Sequence, residues 1–268
     1  MVPWATQDVR LRYDYMSPSE ATEIRLLPNL PSGEIVHAIT PPHRVSTPAM
    51  LDGITEFFFV LGGYAELWRA DDHVEEVTQL VPGRCVRMPP STLFQYRTGS
   101  QRLEFLVITA PRWERERWSP ATRGRWSADE FGLGLTPGTE PQSSWTADIR
   151  EEVDYVAPDG SEIRLLLEEE AGGFAHCTLK QGLCSHAVKH KTVDEIWFVL
   201  GGGGRIWRMS EDGQAAEDLL RPGRCVTIPV GTHFQFRSET VSPLRIGIGT
   251  FPKWPGRDEA QLVEGRWS

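Results

Sequence analysis

Short apolar or alternating runs, separated by Gly, Pro and Asp turns, set the pattern of this chain. The second half reads EIRLLL (162–167), GFAHCTL (173–179), EIWFVLGG (195–202), GRIWRM (204–209), CVTIP (225–229), THFQFR (232–237) and LRIGIGTF (244–251). These runs are rich in Val, Ile, Phe, Trp and Thr, which fit a pleated, half-buried surface. They predict antiparallel β-strands, and their close spacing predicts a sandwich or barrel that removes exposed edges. Neither half carries a long amphipathic stretch with helix caps. The chain reads as all-β.

The pattern occurs twice. Asp14-Tyr15 recurs as Asp154-Tyr155, and EIRLL at 23–27 recurs at 162–166. Glu56 followed by FFFVLGG recurs as Glu195 followed by IWFVLGG. Trp68-Arg69 matches Trp207-Arg208, VPGRCVRMPP (81–90) matches RPGRCVTIPV (221–230), and Gln95 and Arg97 match Gln235 and Arg237. His37 matches His176, Pro111 and Trp113 match Pro252 and Trp254, and Gly124-Arg125-Trp126 matches Gly265-Arg266-Trp267. A period above 100 residues means tandem domains, not solenoid units.

The 268 residues fit two domains at roughly 150 residues each. We expect an N-terminal domain over 13–118, a linker over 119–151 and a C-terminal domain over 152–268. The linker is polar and turn-rich, with one short helix expected near Ser127, Ala128, Asp129 and Glu130. Twenty-eight basic against 37 acidic residues give a net charge of −9, which disfavours nucleic acid as a partner. The start of the chain shows no secretory apolar segment, and no run reaches about 18 apolar residues. No membrane partner and a cytoplasmic location are therefore expected. Cys85, Cys177, Cys184 and Cys225 form no CxxC pair, which suits reduced thiols.

At two blocks the sequence resembles the cupin superfamily, specifically a bicupin. His190 to Gly202 is similar to the first cupin motif, a His, then a Glu, then a Gly turn. Gly223 to Phe236, with Pro229, Gly231 and His233, is similar to the second. Glu56 to Gly63 and Gly83 to Pro89 repeat the pattern in the first half. The resemblance implies two tandem jelly-roll barrels joined by a short, partly helical linker, each with a ligand cavity at its mouth.

It also implies a metal held by a His-x-His pair, the Glu, and the His of the second motif. That donor set suits one divalent transition ion, Fe, Mn, Ni or Zn. In the C-terminal half His190 and Glu195 match. Val188 stands at the first His position and Phe234 at the last. Two histidines offer substitutes. His186 shares a face with Val188 and His190 if the strand extends that far. His233 lies one residue early, on the outward face, unless a β-bulge near Gly231 turns it inward. The expected ligands are thus His190, Glu195, His233 and His186. The N-terminal half keeps Glu56, but Leu51 takes the place of His190, and Thr47, Ala49, Leu93 and Phe94 fill the other places. No metal is expected there.

His190 and Glu195 are also the candidate catalytic residues. Trp197 shares the face of Glu195 and, with Phe234, Phe236 and Arg164, is a candidate for substrate contact. Arg164 has a structural alternative, an ion pair or a backbone contact, because Arg25 repeats it. His176 is read as a structural histidine, with support of Glu195 as its functional alternative. Two functions stay open. One is a metal-dependent cupin enzyme (isomerase, cyclase, lyase, decarboxylase or dioxygenase) acting on a small carbonyl or carboxylate compound. The other is a metal-free or non-catalytic small-molecule-binding protein. The resemblance and unpaired β edges favour a homodimer.

Overall fold

The computed structural model describes residues 2–17, 20–132 and 143–267. Among the described residues its only helices are two 3-10 turns, Arg115–Arg117 and Arg257–Glu259. The chain divides into two compact units. One takes residues 1–9, 27–34 and 149–268, and the other takes 10–26 and 35–148.

In the C-terminal unit a seven-stranded antiparallel sheet runs in the order Thr6–Asp8, Arg224–Ile228, Asp194–Gly201, Leu244–Phe251, Gly172–Leu179, Glu162–Glu169, Tyr155–Val156. A five-stranded sheet runs Ala215–Leu220, Gly204–Met209, His233–Ser238, Val188–His190, Ala260–Leu262. The inner faces share one core, in which Trp197, Val226 and Ile248 from the first sheet meet Val188, Ile206, Phe234 and Phe236 from the second. In the N-terminal unit every strand is replaced by its repeat equivalent, and the two strand orders are the same. This is the tandem jelly-roll architecture that the repeat predicts.

The matched residues are those that close each unit. Gln235 Nε2 donates to the carbonyls of Ser185 and Trp267, and its Oε1 accepts from the amides of Arg266 and Trp267, all at 2.9 Å. Gln95 does the same for Ser46, Arg125 and Trp126. Arg237 then lies over the Trp267 ring and Arg97 over the Trp126 ring, each at 4.5 Å. The Gly-Arg-Trp triplets are therefore latches, one per unit. Gly63 and Gly202 take positive φ (82° and 71°), and a Cβ there would fall 1.8 Å from the Arg102 carbonyl oxygen and 2.2 Å from that of Pro243. Only glycine fits those turns.

Within the stretch expected to link the domains, two described segments are instead strands of a barrel, and residues 133–142 lie outside the described residues. Trp118–Pro120 pairs with Ala49–Leu51, and Thr146–Asp148 pairs with Arg84–Met88. The helix expected near Ser127 is a single turn. The Glu130 carboxylate accepts from the Ser127 amide and hydroxyl, and the Glu130 amide donates back to the Ser127 carbonyl. One such turn fixes its residues for too few bonds to propagate.

Thr6–Asp8 closes the edge of the C-terminal unit's large sheet. Arg208, fully buried, holds this arm. Its guanidinium donates to the carbonyls of Ala5 and Thr227, to Thr6 Oγ1 and to Asp218, and it lies 5.4 Å from the Trp4 ring. Arg69, Trp145, Thr146 and Glu76 repeat the arrangement in the other unit. Arg208→Ala removes the partner of two carbonyls and a carboxylate. It is expected to lower the unfolding free energy by about 3 kcal/mol, read from urea denaturation. An unchanged midpoint would show that the guanidinium does not hold the arm.

Candidate functional site: the cavity of the C-terminal barrel

Strand Asp194–Gly201 runs through the middle of the large sheet, with Glu195 between Ile228 and Thr250 on its neighbours. Glu195 and Trp197 are two residues apart and so share the inner face. That spacing lets the Trp197 indole N–H donate to Glu195 Oε2 at 2.7 Å. His190 ends strand Val188–His190 in the small sheet. The connection from His190 to Glu195 is held by Glu259. Its carboxylate accepts from the amides of Thr192 (2.6 Å) and Val193 (2.9 Å) and from the Thr192 hydroxyl (2.8 Å). Those bonds hold Glu259 below the usual carboxylate range, against the opposing effect of its burial.

His190 Nδ1 and Glu195 Oε1 are 3.9 Å apart, beyond hydrogen-bond reach. Both residues are about 95% buried, and His190 Nδ1 has no hydrogen-bond partner. Phe234 and Trp254 meet the imidazole edge-on, each with ring centres 5.1 Å away. Trp197 meets Phe234 and Phe236 the same way. These side chains, with Tyr155, Asp159, Glu168 and Thr250, line a cavity of about 50 Å³. An engineered cavity that binds benzene is roughly three times larger. The space admits a molecule of a few heavy atoms.

Burial pushes the Glu195 carboxyl up to about 8. The indole N–H opposes this, and Asp159 and Glu259 add to it. Burial pulls the His190 imidazole down to about 4, with Glu259 opposing. Burial also raises Asp159, against two hydrogen bonds from Ser161, and Glu168, against Lys253. At neutral pH the cavity therefore holds an uncharged carboxylic acid facing an uncharged imidazole.

Of the residues singled out in the sequence, His190, Glu195, Trp197, Phe234 and Phe236 line this cavity together. Three others lie away from it. His186 is exposed, because the strand starts only at Val188. Ala187 and Val188 are both buried, so the alternation breaks there. His233 faces outward near Lys189 and Glu211. Strand His233–Ser238 pairs with Gly204–Met209 in unbroken register, so no bulge turns His233 inward. Arg164 points away from Ile163 and Leu165, which do line the cavity. It donates to the carbonyls of Arg150 (2.8 Å) and Glu151 (2.9 Å). Arg25 does likewise with Arg10. His176 lies on the outer face of its strand, opposite Arg164, and does not reach Glu195.

The inward donors that the metal centre requires are thus reduced to His190 and Glu195. Among the described residues no group of three His, Cys, Asp or Glu could hold a metal ion. The remaining ligand positions carry Val188 and Phe234, and the Phe234 ring occupies the space beside His190. This donor set does not fit a divalent ion.

Sequence reasoning missed Tyr155, Asp159, Glu168, Thr250, Trp254 and Glu259. Trp254 carried a usable signal, since its repeat equivalent Trp113 lines the mouth of the other barrel. In that barrel Phe58 replaces Trp197 and packs edge-on against Phe94 and Tyr96, filling the interior. An open cavity of about 440 Å³ remains at its mouth.

No protein-family model matches the sequence, and no curated protein matches it. The chain is similar in structure to oxalate decarboxylase. A structure addressing the substrate binding mode of that enzyme aligns with a TM-score of 0.71 at 12% identity, covering 92% of this chain and 77% of the other. The Bacillus subtilis enzyme at pH 4.6 gives 0.71 at 12%, covering 92% and 76%. A third oxalate decarboxylase structure, concerned with proton-coupled electron transfer, gives 0.66 at 11%, covering 92% and 77%. The likeness shows the fold, a cupin-type jelly roll, for most of the chain.

Glu195 binds its proton more tightly in the folded than in the unfolded chain. Its burial therefore costs stability as pH rises from about 4.5 to 8. His190 does the opposite, costing stability as pH falls from about 6.5 to 4. Glu195→Gln keeps an acceptor for the Trp197 indole and removes the titration. The variant is expected to be more stable than the parent at pH 8 by a few kcal/mol, with the difference shrinking toward pH 5. Thermal unfolding across that range checks it, and parallel profiles would refute the buried-acid assignment.

Proposed function

We propose that the chain is a bicupin whose working site is the C-terminal cavity, where Glu195 and His190 act on a small molecule by proton transfer without a metal. One observation carries this reading. A buried imidazole nitrogen without a partner faces a buried carboxyl oxygen across 3.9 Å, at the wall of a cavity. A ligand oxygen fits between the two. Glu195, protonated at neutral pH, donates to a carbonyl oxygen, while His190 Nδ1 takes the proton from the adjacent carbon. His190 then gives its proton back to that carbon and the enol O–H reprotonates Glu195; where the carbon bears a hydroxyl, the enediol takes the proton at the former carbonyl carbon and its other hydroxyl reprotonates Glu195, which is the core of an isomerisation. The edge-on Phe234 and Trp254 fix the imidazole plane. The expected metal enzyme is set aside because its remaining ligand positions hold a valine and a phenylalanine.

The second reading is a binding protein without catalysis. It is favoured by the aromatic clamp on His190, which holds the ring still whether or not a proton moves.

One measurement tests the metal-free reading and a second separates catalysis from binding. Elemental analysis of protein purified without chelator or affinity-tag metal is expected to find far less than one equivalent of Fe, Mn, Ni or Zn. A stoichiometric metal that disappears in His190→Ala would overturn the metal-free reading. Incubation with 2-butanone in D2O is expected to show carbon-bound deuterium uptake above the buffer rate. That uptake should fall at least 10-fold in His190→Ala and in Glu195→Gln. Binding without exchange would assign the protein to the second reading.

A further inference from the structure

The charge inventory of the C-terminal cavity defines the class of molecule it accepts. Its lining contains three carboxyl groups, Asp159, Glu168 and Glu195, and no Lys or Arg. Arg164, the one basic side chain expected there, is turned outward onto two backbone carbonyls. Lys253, whose charge acts on Glu168, is ion-paired with Glu170 and is not among the lining residues. An anion entering this space meets no counter-charge and three carboxyl groups, any of which repels it once ionised. A cation fares little better. An ammonium brings three N–H donors and a tightly held hydration shell. Oδ1 of Asp159 already accepts twice from Ser161, from its amide at 2.8 Å and its hydroxyl at 2.7 Å. Glu195 Oε2 is taken by the Trp197 indole. The remaining wall near His190 is aromatic or aliphatic.

We infer that the site takes small uncharged molecules, held through one oxygen placed between His190 Nδ1 and Glu195 Oε1, and rejects small carboxylates. This rests on the reading of the C-terminal cavity as the working site, and it goes beyond that reading by fixing the ligand's charge. Either an alcohol or a carbonyl oxygen suits the gap. An alcohol accepts from Glu195 and donates to His190 Nδ1, while a carbonyl accepts from Glu195 and leaves Nδ1 free as the base. The inference separates this chain from its structural neighbours, whose name describes action on oxalate, a dianion.

The test uses three probes of nearly equal size and different charge: propanamide, propanoate and propylammonium. Each is titrated at pH 7 into the full-length protein. Binding is read from the Trp197 indole N–H resonance, assigned by its loss in Trp197→Phe. Propanamide is expected to shift that resonance saturably, with propanoate and propylammonium at least 10-fold weaker. Propanoate or propylammonium binding as tightly as propanamide would overturn the charge assignment while leaving the cavity as a ligand site. If none of the three moves the Trp197 resonance, the parent reading of the cavity fails with it.

Discussion

A strand offers two faces, and in each unit one of them is sealed inside a barrel. Everything at the candidate site depends on which residues take that inner face. Glu195 and Trp197 lie two positions apart, so both point inward and the indole reaches the carboxylate at 2.7 Å. His233 lies one position from Phe234 and therefore points out. Arg164 lies between the inward Ile163 and Leu165 and is turned out by the same rule. The sealed face is also dry, which is why Glu195 keeps its proton and His190 stays neutral. Geometry and protonation have one origin.

The two repeats show how equivalent inner positions can be filled differently. Glu56 and Glu195 occupy equivalent inner positions, with Phe58 and Trp197 two residues on. Trp197 supplies an N–H to Glu195, and Phe58 has none to give. Opposite them, Leu51 and His190 are equivalent. The N-terminal barrel answers with hydrocarbon. Phe58, Phe94, Tyr96 and Phe105 pack against one another through its interior, and the Tyr96 hydroxyl is tied to Thr22 (2.8 Å) and Thr40 (3.1 Å). The C-terminal barrel keeps a polar pair and leaves space before it. One fold thus holds, in one barrel, a small cavity walled by a polar pair and, in the other, an aromatic interior below a wider mouth.

Much of this was legible in the sequence because alternation and duplication are local signals. The strands, the Gly turns and the shared face of Glu195 and Trp197 follow from period two. The Gly-Arg-Trp latches show themselves by recurring, although their partner Gln95 or Gln235 is named only by the structure. Three things were hidden. Where a strand starts decides the face of His186, and that start is set by pairing with Leu262 and Phe234. The stretch 143–148 reads as a polar linker because its role is to add an edge strand beside Arg84–Met88, which needs backbone and little side-chain signature. Asp159, Glu168 and Glu259 come from separate elements, and no motif joins residues brought together only by barrel closure.

The residues at the positions that the cupin resemblance marks for metal ligands bear on more than coordination. In a site with a bound cation, a buried glutamate stays ionised because its charge has a partner, and a histidine lends its lone pair to the ion. Placing Val188 and Phe234 at the other two ligand positions removes the partner. The carboxyl must then hold a proton, since an isolated buried carboxylate is too costly. The imidazole nitrogen, with no ion to bind, becomes a free acceptor. On the proposed reading, the same two positions serve as an acid and a base where the cupin resemblance would place a ligand pair.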